Sequence, residues 1–394
     1  MKQAYHIFLA IVFLVFISWP TITFFNKKKD ETSQSENRML AKMPRIKDGR
    51  AIVYGSKGTT EYKLDTFPDL FNQFWNDNFG TRDRLIKAHH LFKANYLQTS
   101  PVPEKVIVGK DGWLFMKGKP YECNSGKNKF TAKELASGLK LHQQRAKIMA
   151  EKDIPVYFFV APNKHRIYGE HLPNSIVRLT DSIQVEQLNT LFAKHDNIHF
   201  IDLAPGLISA KEQGRLYHKT DNHWNDLGGY FAYQQIMEVI KTEISNEHYI
   251  PLSEFNVVPK NVEGIALARM LKAEKTMHED DIRLSPKFTP TGKMSGIKRV
   301  ETPPGYENQQ QYSMHYINSD TSKPRLLFIR DSFGKMLLNE LKNHFSEMLV
   351  IFDNWEYGLN ETHVNDFKPD IVIYVVLERN LSCFLNGGSC GGNF

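Results

Sequence analysis

Two short stretches hold side chains that together can move an acyl group. The first, RLYHKTDNHWNDLGG at residues 215–229, places Asp221 two positions before His223, with Trp224 next to it. Residues two apart in an extended or loop segment project to the same side, so carboxylate and imidazole can meet. On a helix they would not face each other. Asn225 and Gly228 mark a helix start just beyond the pair, which keeps the pair in the loop. The second stretch, LLFIRDSFGKMLLNEL at 326–341, reads as an apolar strand ending at Ile329, a polar Arg330-Asp331-Ser332 turn and an amphipathic helix from about Gly334. A serine at that junction stands at a helix amino terminus, where free N–H groups and the dipole favour a developing oxyanion. Serine is a weak nucleophile at neutral pH and needs a base, usually a histidine held by a carboxylate. Ser332, His223 and Asp221 are residues of those three kinds. Each stretch alone also has a plainer account, with Ser332 as the N-cap of its helix, Asn225 as the cap of the other, and Asp221 and His223 as solvated loop residues.

The elements that must position them follow from the patterning. From residue 131 helix and strand alternate: a Thr131/Glu134 capping box opens a helix at 132–151, IPVYFFVAP follows as a strand, and a helix near 181–195 leads to NIHFIDLAP. A helix at Gly228–Thr242, the strand RLLFIR, a helix at 334–345, the strand EMLVIFDN and the closing PDIVIYVVLER complete the series. Five apolar strands with helical crossovers predict an α/β fold, a parallel sheet with helices on both faces, whose ligands collect at the carboxyl ends of the strands. Asn163 ends one strand on that edge and is a candidate oxyanion donor, or else a turn residue. Arg330 and Trp224 are further substrate-site candidates, Trp224 as a wall against water. Lys164, His165 and Arg166 read as a solvated charge run in preference to contacts for an acidic glycan, His218 as outside the pair, and Glu378 with Arg379 as an ion pair tying the tail. Earlier, residues 67–97 predict two helices bent at Gly80 and residues 106–118 a hairpin around Lys-Asp-Gly. Residues 247–323, polar apart from the helix candidate GIALARMLKA, read as an insertion.

The amino end is a membrane segment by composition. Tyr5–Phe25 contains no Asp, Glu, Lys or Arg, and ~20 such residues span a bilayer. No small-x-small site precedes NKKKD, so a signal anchor over residues 1–26 is expected instead of a cleaved leader, followed by a polar linker over 27–65. Lys27, Lys28 and Lys29 against Lys2 place the following chain in the cytoplasm by the positive-inside rule. The formal charge of +6 over 394 residues is scattered among acids, without the basic stripe that nucleic acid requires. Three cysteines lack the CxxC-type spacing and fourth ligand of a zinc site; neither a metal nor a cofactor is expected. Cys383 and Cys390 can close a small loop, with Cys123 left over.

The Asp-x-His-Trp of TDNHWND and the Asp-Ser-Phe of IRDSFG resemble the SGNH-hydrolase-like acetyltransferases of the alginate O-acetylation type, the AlgJ/AlgX group. The segments ENRMLAKMP, NDNFGTRDRLI, VIVGKDGWLF, APNKHRIYGEHLP and GIALARML resemble that group in the same order. The resemblance spans nearly the whole chain after the anchor and assigns residues 66–394 to one SGNH-hydrolase-like domain. It implies Ser332 as acyl-accepting nucleophile, His223 as base and Asp221 as its orienter, with Arg330 standing where the general SGNH block has glycine. It also implies an exported polysaccharide as acceptor, alginate-like or another exopolysaccharide or capsule. The implied acetyl source is a membrane-bound O-acyltransferase, and the implied location is the periplasmic face of the inner membrane, against the lysine count. A carbohydrate acetylesterase with the same triad and a non-catalytic polysaccharide-binding subunit are the alternatives.

Overall fold

The computed structural model describes residues 2–26, 32–33, 38–46, 52–54, 60–62, 66–97, 99–244, 247–297 and 312–388. The chain divides into two compact units, residues 1–102 with 269–274, and residues 103–268 with 275–394. In the first, α1 (Lys2–Asn26) contains the apolar run, and α2 (Phe67–Asn78) and α3 (Arg82–Asn95) are the two helices expected on either side of Gly80. The partner expected for Cys383, Cys390, lies outside the described residues.

The second unit begins with a hairpin, β1 (Val106–Val108) and β2 (Leu114–Met116). Its turn holds Asp111 and Gly112 at φ of 54° and 77°. The Thr131/Glu134 capping box is present and opens α4 (Ala132–Ala150). There follow β3 (Val156–Ala161), α5 (Gln184–Phe192), β4 (His199–Asp202) and α6 (Asp226–Ile240). A long antiparallel ribbon of β5 (Phe255–Glu263) and β6 (His278–Pro286) comes next. The chain then runs through β7 (Gly292–Ile297), β8 (Met314–Asn318), β9 (Arg325–Arg330), β10 (Glu347–Phe352), α7 (Glu361–Phe367) and β11 (Ile371–Leu377).

One sheet runs in the order β7-β8-β10-β9-β11-β3-β4. The five strands predicted from apolar runs are its parallel part, and β7 and β8 extend it antiparallel. Residues 247–323, expected as an insertion, thus supply two strands of the central sheet. Their alternation is broken by exposed Met294 and Ile297 in β7 and exposed Ile317 in β8, which is why the sequence pattern hides them. The parallel strands are apolar throughout because both faces are covered. Phe159, Phe328, Ile373 and Val375 share one core with Tyr233 and Ile236 of α6, while Phe158, Val160, Leu327 and Val376 share the other with Leu188 and Phe192 of α5.

The helix expected at 334–345 is instead a 3₁₀ segment, Phe333–Leu337, followed by a single turn, Leu338–Leu341. The Asp331 carboxylate takes the Phe333 amide at 2.8 Å, and a Cβ on Gly334 would stand 2.5 Å from the Arg330 Cβ, so the chain winds tightly around its own strand end. A helix this short has almost no macrodipole. Any oxyanion stabilisation beside Ser332 must come from individual donors.

Candidate active site

Local hydrogen bonds shape the loop that carries His223. Tyr217 and Trp224 form an antiparallel bridge, closed by Asn225 N–H donating to Leu216 O at 2.9 Å and His218 N–H to His223 O at 3.2 Å. Asn225 caps α6 through Gly228 N–H at 3.0 Å, as its plainer reading requires. A Cβ at Gly228 would lie 2.1 Å from Leu216 O, so only glycine lets the helix start this close under the loop.

The loop does not leave Asp221 and His223 to solvent. Asp221 Oδ1 lies 2.7 Å from His223 Nδ1 and accepts the His223 backbone N–H at 3.0 Å; its Oδ2 accepts Ala266 N–H at 3.2 Å. Across the ring, His223 Nε2 is 2.9 Å from Ser332 Oγ. The carboxylate holds the proton on Nδ1, which leaves the Nε2 lone pair facing the hydroxyl. Ser332 makes no side-chain cap on its 3₁₀ segment, so its hydroxyl is committed to the histidine. The Asp221 side chain is 8% exposed and that of His223 35%: the carboxylate is shielded and the imidazole is reachable. Burial works to raise the Asp221 carboxyl, but the hydrogen bond and charge of His223, its backbone N–H and the charge of His218 prevail and hold it well below the usual carboxylate range. Asp221 therefore stays ionised at neutral pH.

Several sequence expectations need correction. Trp224 does not wall a pocket: it is fully buried beneath the site, where Nε1 donates to Phe333 O at 3.0 Å and the two rings meet edge to face at 5.0 Å. Arg330 is 2% exposed, donates to the carbonyls of Asp331 at 3.1 Å and Tyr312 at 2.9 Å, and lies over the Phe352 ring. Burial lowers it to about 10, and its guanidinium braces the turn from behind. Lys164, His165 and Arg166 are not a solvated run, because the turn of helix at Lys164–Ile167 dips into the interior, with Lys164 and His165 buried and Arg166 half-buried.

Lys164 is a residue whose place sequence reasoning missed. Its ammonium donates to the carbonyls of Leu114 at 2.6 Å, Lys219 at 2.7 Å and Asp221 at 2.9 Å, so three donors of one charge pin the hairpin and the His223 loop together. Burial pushes it down to about 7, against the Glu279 and Asp221 carboxylates that favour the charge. The signal was a charged residue placed directly after a wholly apolar strand at the carboxyl edge. Asp331 was also overlooked. It accepts from Phe333 N–H, from Leu377 N–H at 2.8 Å and from the Tyr357 hydroxyl at 2.7 Å, which ties the Ser332 turn to the end of β11. Nothing in the sequence points to Tyr357.

Asn163 is 1% exposed. Its backbone N–H donates to Glu378 Oε2 at 2.7 Å, while its side-chain Oδ1 and Nδ2 have no hydrogen-bond partner among the described residues. Glu378 faces Arg166 at 3.9 Å instead of pairing with Arg379, and burial raises it to about 7 despite Arg166 and the Asn163 amide. His218 stands outside the Asp221–His223 pair and has its own carboxylate, Asp281, at 2.9 Å.

A parallel sheet with a serine after one strand and an Asp-x-His loop against it defines an SGNH-hydrolase-like protein. The family model described as SGNH hydrolase-like domain, acetyltransferase AlgX matches residues 106–334, and the chain belongs to that family. It is 25% identical over 276 residues to "Probable alginate O-acetylase AlgJ" of Pseudomonas aeruginosa, covering 63% of this chain and 65% of that protein. The same-named protein of Pseudomonas syringae pv. tomato is 28% identical over 134 residues, 33% of this chain and 32% of its own. The chain thus spans less than two thirds of the length of these relatives. Among solved structures, Bacillus cereus PatB1 with sulfonyl adduct shares the fold at a TM-score of 0.53 and 18% identity, over 72% of this chain and 98% of that one.

Two outcomes follow from this geometry. The folded Asp221 carboxyl titrates below the ~3.9 of an unfolded aspartate, so its stabilisation is complete above that pH and is lost as pH falls through it towards the folded value. Asp221→Asn should therefore flatten the fall of urea-unfolding stability below about pH 4; an unchanged acid limb would contradict the assignment. Lys164→Met takes the ammonium away from three carbonyls, of which Lys219 O keeps the Leu114 N–H at 2.9 Å, and an unfulfilled buried group costs ~1–3 kcal/mol. The variant should unfold at lower urea, by about that amount; wild-type stability would remove Lys164 from the account.

Proposed function

We propose that this protein is an O-acetyltransferase that moves an acetyl group through an acyl-enzyme on Ser332 onto hydroxyls of an exported polysaccharide. The observation that carries this reading is the imidazole of His223, held at 2.7 Å by Asp221 and 2.9 Å from Ser332 Oγ. His223 Nε2 takes the Ser332 proton as Oγ attacks the acetyl carbonyl carbon, and the tetrahedral intermediate collapses by expelling the donor's alcohol, which leaves with that proton. A sugar hydroxyl then attacks acetyl-Ser332, gives its proton to Nε2, and the collapse returns the proton to Oγ. Asp221 remains ionised throughout and balances the imidazolium.

The negative oxygen of both intermediates needs donors. Phe333 N–H is engaged by Asp331, so the Ser332 N–H and the unpartnered side-chain amide of Asn163 are the donors assigned here. The alginate O-acetylases and the AlgX family supply the chemical class, and a polysaccharide acceptor with a membrane-bound O-acyltransferase as acetyl source is the proposed setting. The apolar helix Tyr5–Phe25 is long enough to cross a membrane, and we assign it as a single-pass anchor with the second unit on the periplasmic side.

Incubation of the purified chain with an activated acetyl ester and oligosaccharides distinguishes the readings by product. Acetylated sugar is expected, with Ser332→Ala and His223→Ala each lowering turnover by at least ~10³-fold, the scale of removing one member of such a unit. Free acetate as sole product would make the chain an esterase. Turnover unchanged in Ser332→Ala would overturn both.

A further inference from the structure

The apolar helix α1 ends against the α2–α3 pair. Phe24, in its last turn, lies with its ring 5.3 Å from Trp75 and edge-on to Phe74 at 6.0 Å. A Cβ on Gly80, between the two helices, would stand 2.4 Å from the Phe24 amide nitrogen, so backbone meets backbone there. The span Tyr5–Phe25 has 21 residues, close to the ~20 that match the hydrocarbon thickness. Its end therefore lies at headgroup depth, and whatever is packed on Phe24 lies there as well.

α3 starts two residues beyond Gly80, and the surface it presents suits lipid. Leu85, Phe92 and Tyr96 are 56%, 54% and 79% exposed, and their spacing of seven and four residues sets them on one stripe. Leu97 follows at 52%. The same helix, RDRLIKAHHLFKAN, has Arg82, Arg84, Lys87 and Lys93 against a single acid, Asp83. The strap before α2 adds to it: Ala41 is fastened to α2 through Asp77 Oδ2 at 2.8 Å and Asn78 Nδ2 at 3.0 Å, and its neighbours Met39, Met43 and Ile46 are 63%, 55% and 72% exposed. A basic helix with an aromatic and aliphatic stripe is the composition of an in-plane interfacial helix, and Tyr and Trp concentrate at that depth.

We propose that α3 lies in the headgroup region of the bilayer that α1 crosses, with Leu85, Phe92 and Tyr96 inserted at the acyl boundary and its basic side chains among anionic headgroups. This rests on reading α1 as a membrane span. It makes the anchor a seated base instead of a free tether.

The full-length chain in phosphatidylglycerol/phosphatidylethanolamine vesicles tests it, with p-benzoylphenylalanine replacing Phe13, Lys87, Phe92 or Tyr96 one at a time. After illumination, lipid adducts are read by mass spectrometry, and retained ester turnover verifies the fold. Adducts at 92 and 96 comparable with those at 13 and several-fold above those at 87 are expected. Adducts at 13 with none at 92 and 96, or crosslinks there to protein, would overturn the seating while leaving the anchor. No adduct at 13 would remove the anchor and the proposal with it.

Discussion

The hydrogen bond from the Trp224 indole to the Phe333 carbonyl joins two turns 109 residues apart in the chain. One turn carries the histidine and the other the serine. The proposed base and nucleophile can act together only if their separation is held within a few tenths of an ångström, and neither turn is regular enough to hold it alone. The clamp has a rigid floor on each side. Trp224 is packed into the core that α6 makes with the sheet, and the Ser332 turn is drawn onto the end of β11 by Asp331. The 2.9 Å contact between His223 and Ser332 is thus the visible end of an apolar and hydrogen-bonded assembly beneath it.

Charge is arranged around this clamp with the same economy. Lys164 reaches through the hairpin to the carbonyls of Lys219 and Asp221, while Glu378 accepts the amide of Asn163 and Asp331 that of Leu377. Together the two carboxylates stitch the carboxyl ends of β9, β11 and β3, three neighbouring strands of the sheet. Buried ionisable groups are costly unless hydrogen-bonded, and each of these satisfies backbone groups that the ends of parallel strands leave open. The same edge that gathers the candidate site residues is the one whose loose backbone needs such partners.

Much of this was legible in the sequence, for a physical reason. Strands buried on both faces, such as Val156–Ala161 and Ile371–Leu377, are apolar runs, and the capping box at Thr131 marks a helix start by type and spacing alone. Asp221, His223 and Ser332 stood out because their residue types carry chemistry at a loop and a strand end. The antiparallel strands β7 and β8 were not legible, since exposed apolar residues such as Met294, Ile297 and Ile317 break their alternation. The buried roles of Lys164, Arg330 and Trp224 were not legible either, because sequence gives a side chain's chemistry but not its direction. A lysine beside a histidine and an arginine reads as surface, yet here the turn of helix points it inward at three carbonyls.

The central claim is that Ser332 carries the acetyl group between donor and acceptor. Rapid quenching of the chain with an acetyl ester, followed by peptide mass spectrometry, measures this directly. The account predicts an acetylated peptide containing Ser332 that accumulates without acceptor, decays when an oligosaccharide is added, and does not form in His223→Ala. Acetyl transfer to sugar with Ser332 unmodified at every quench time would contradict it.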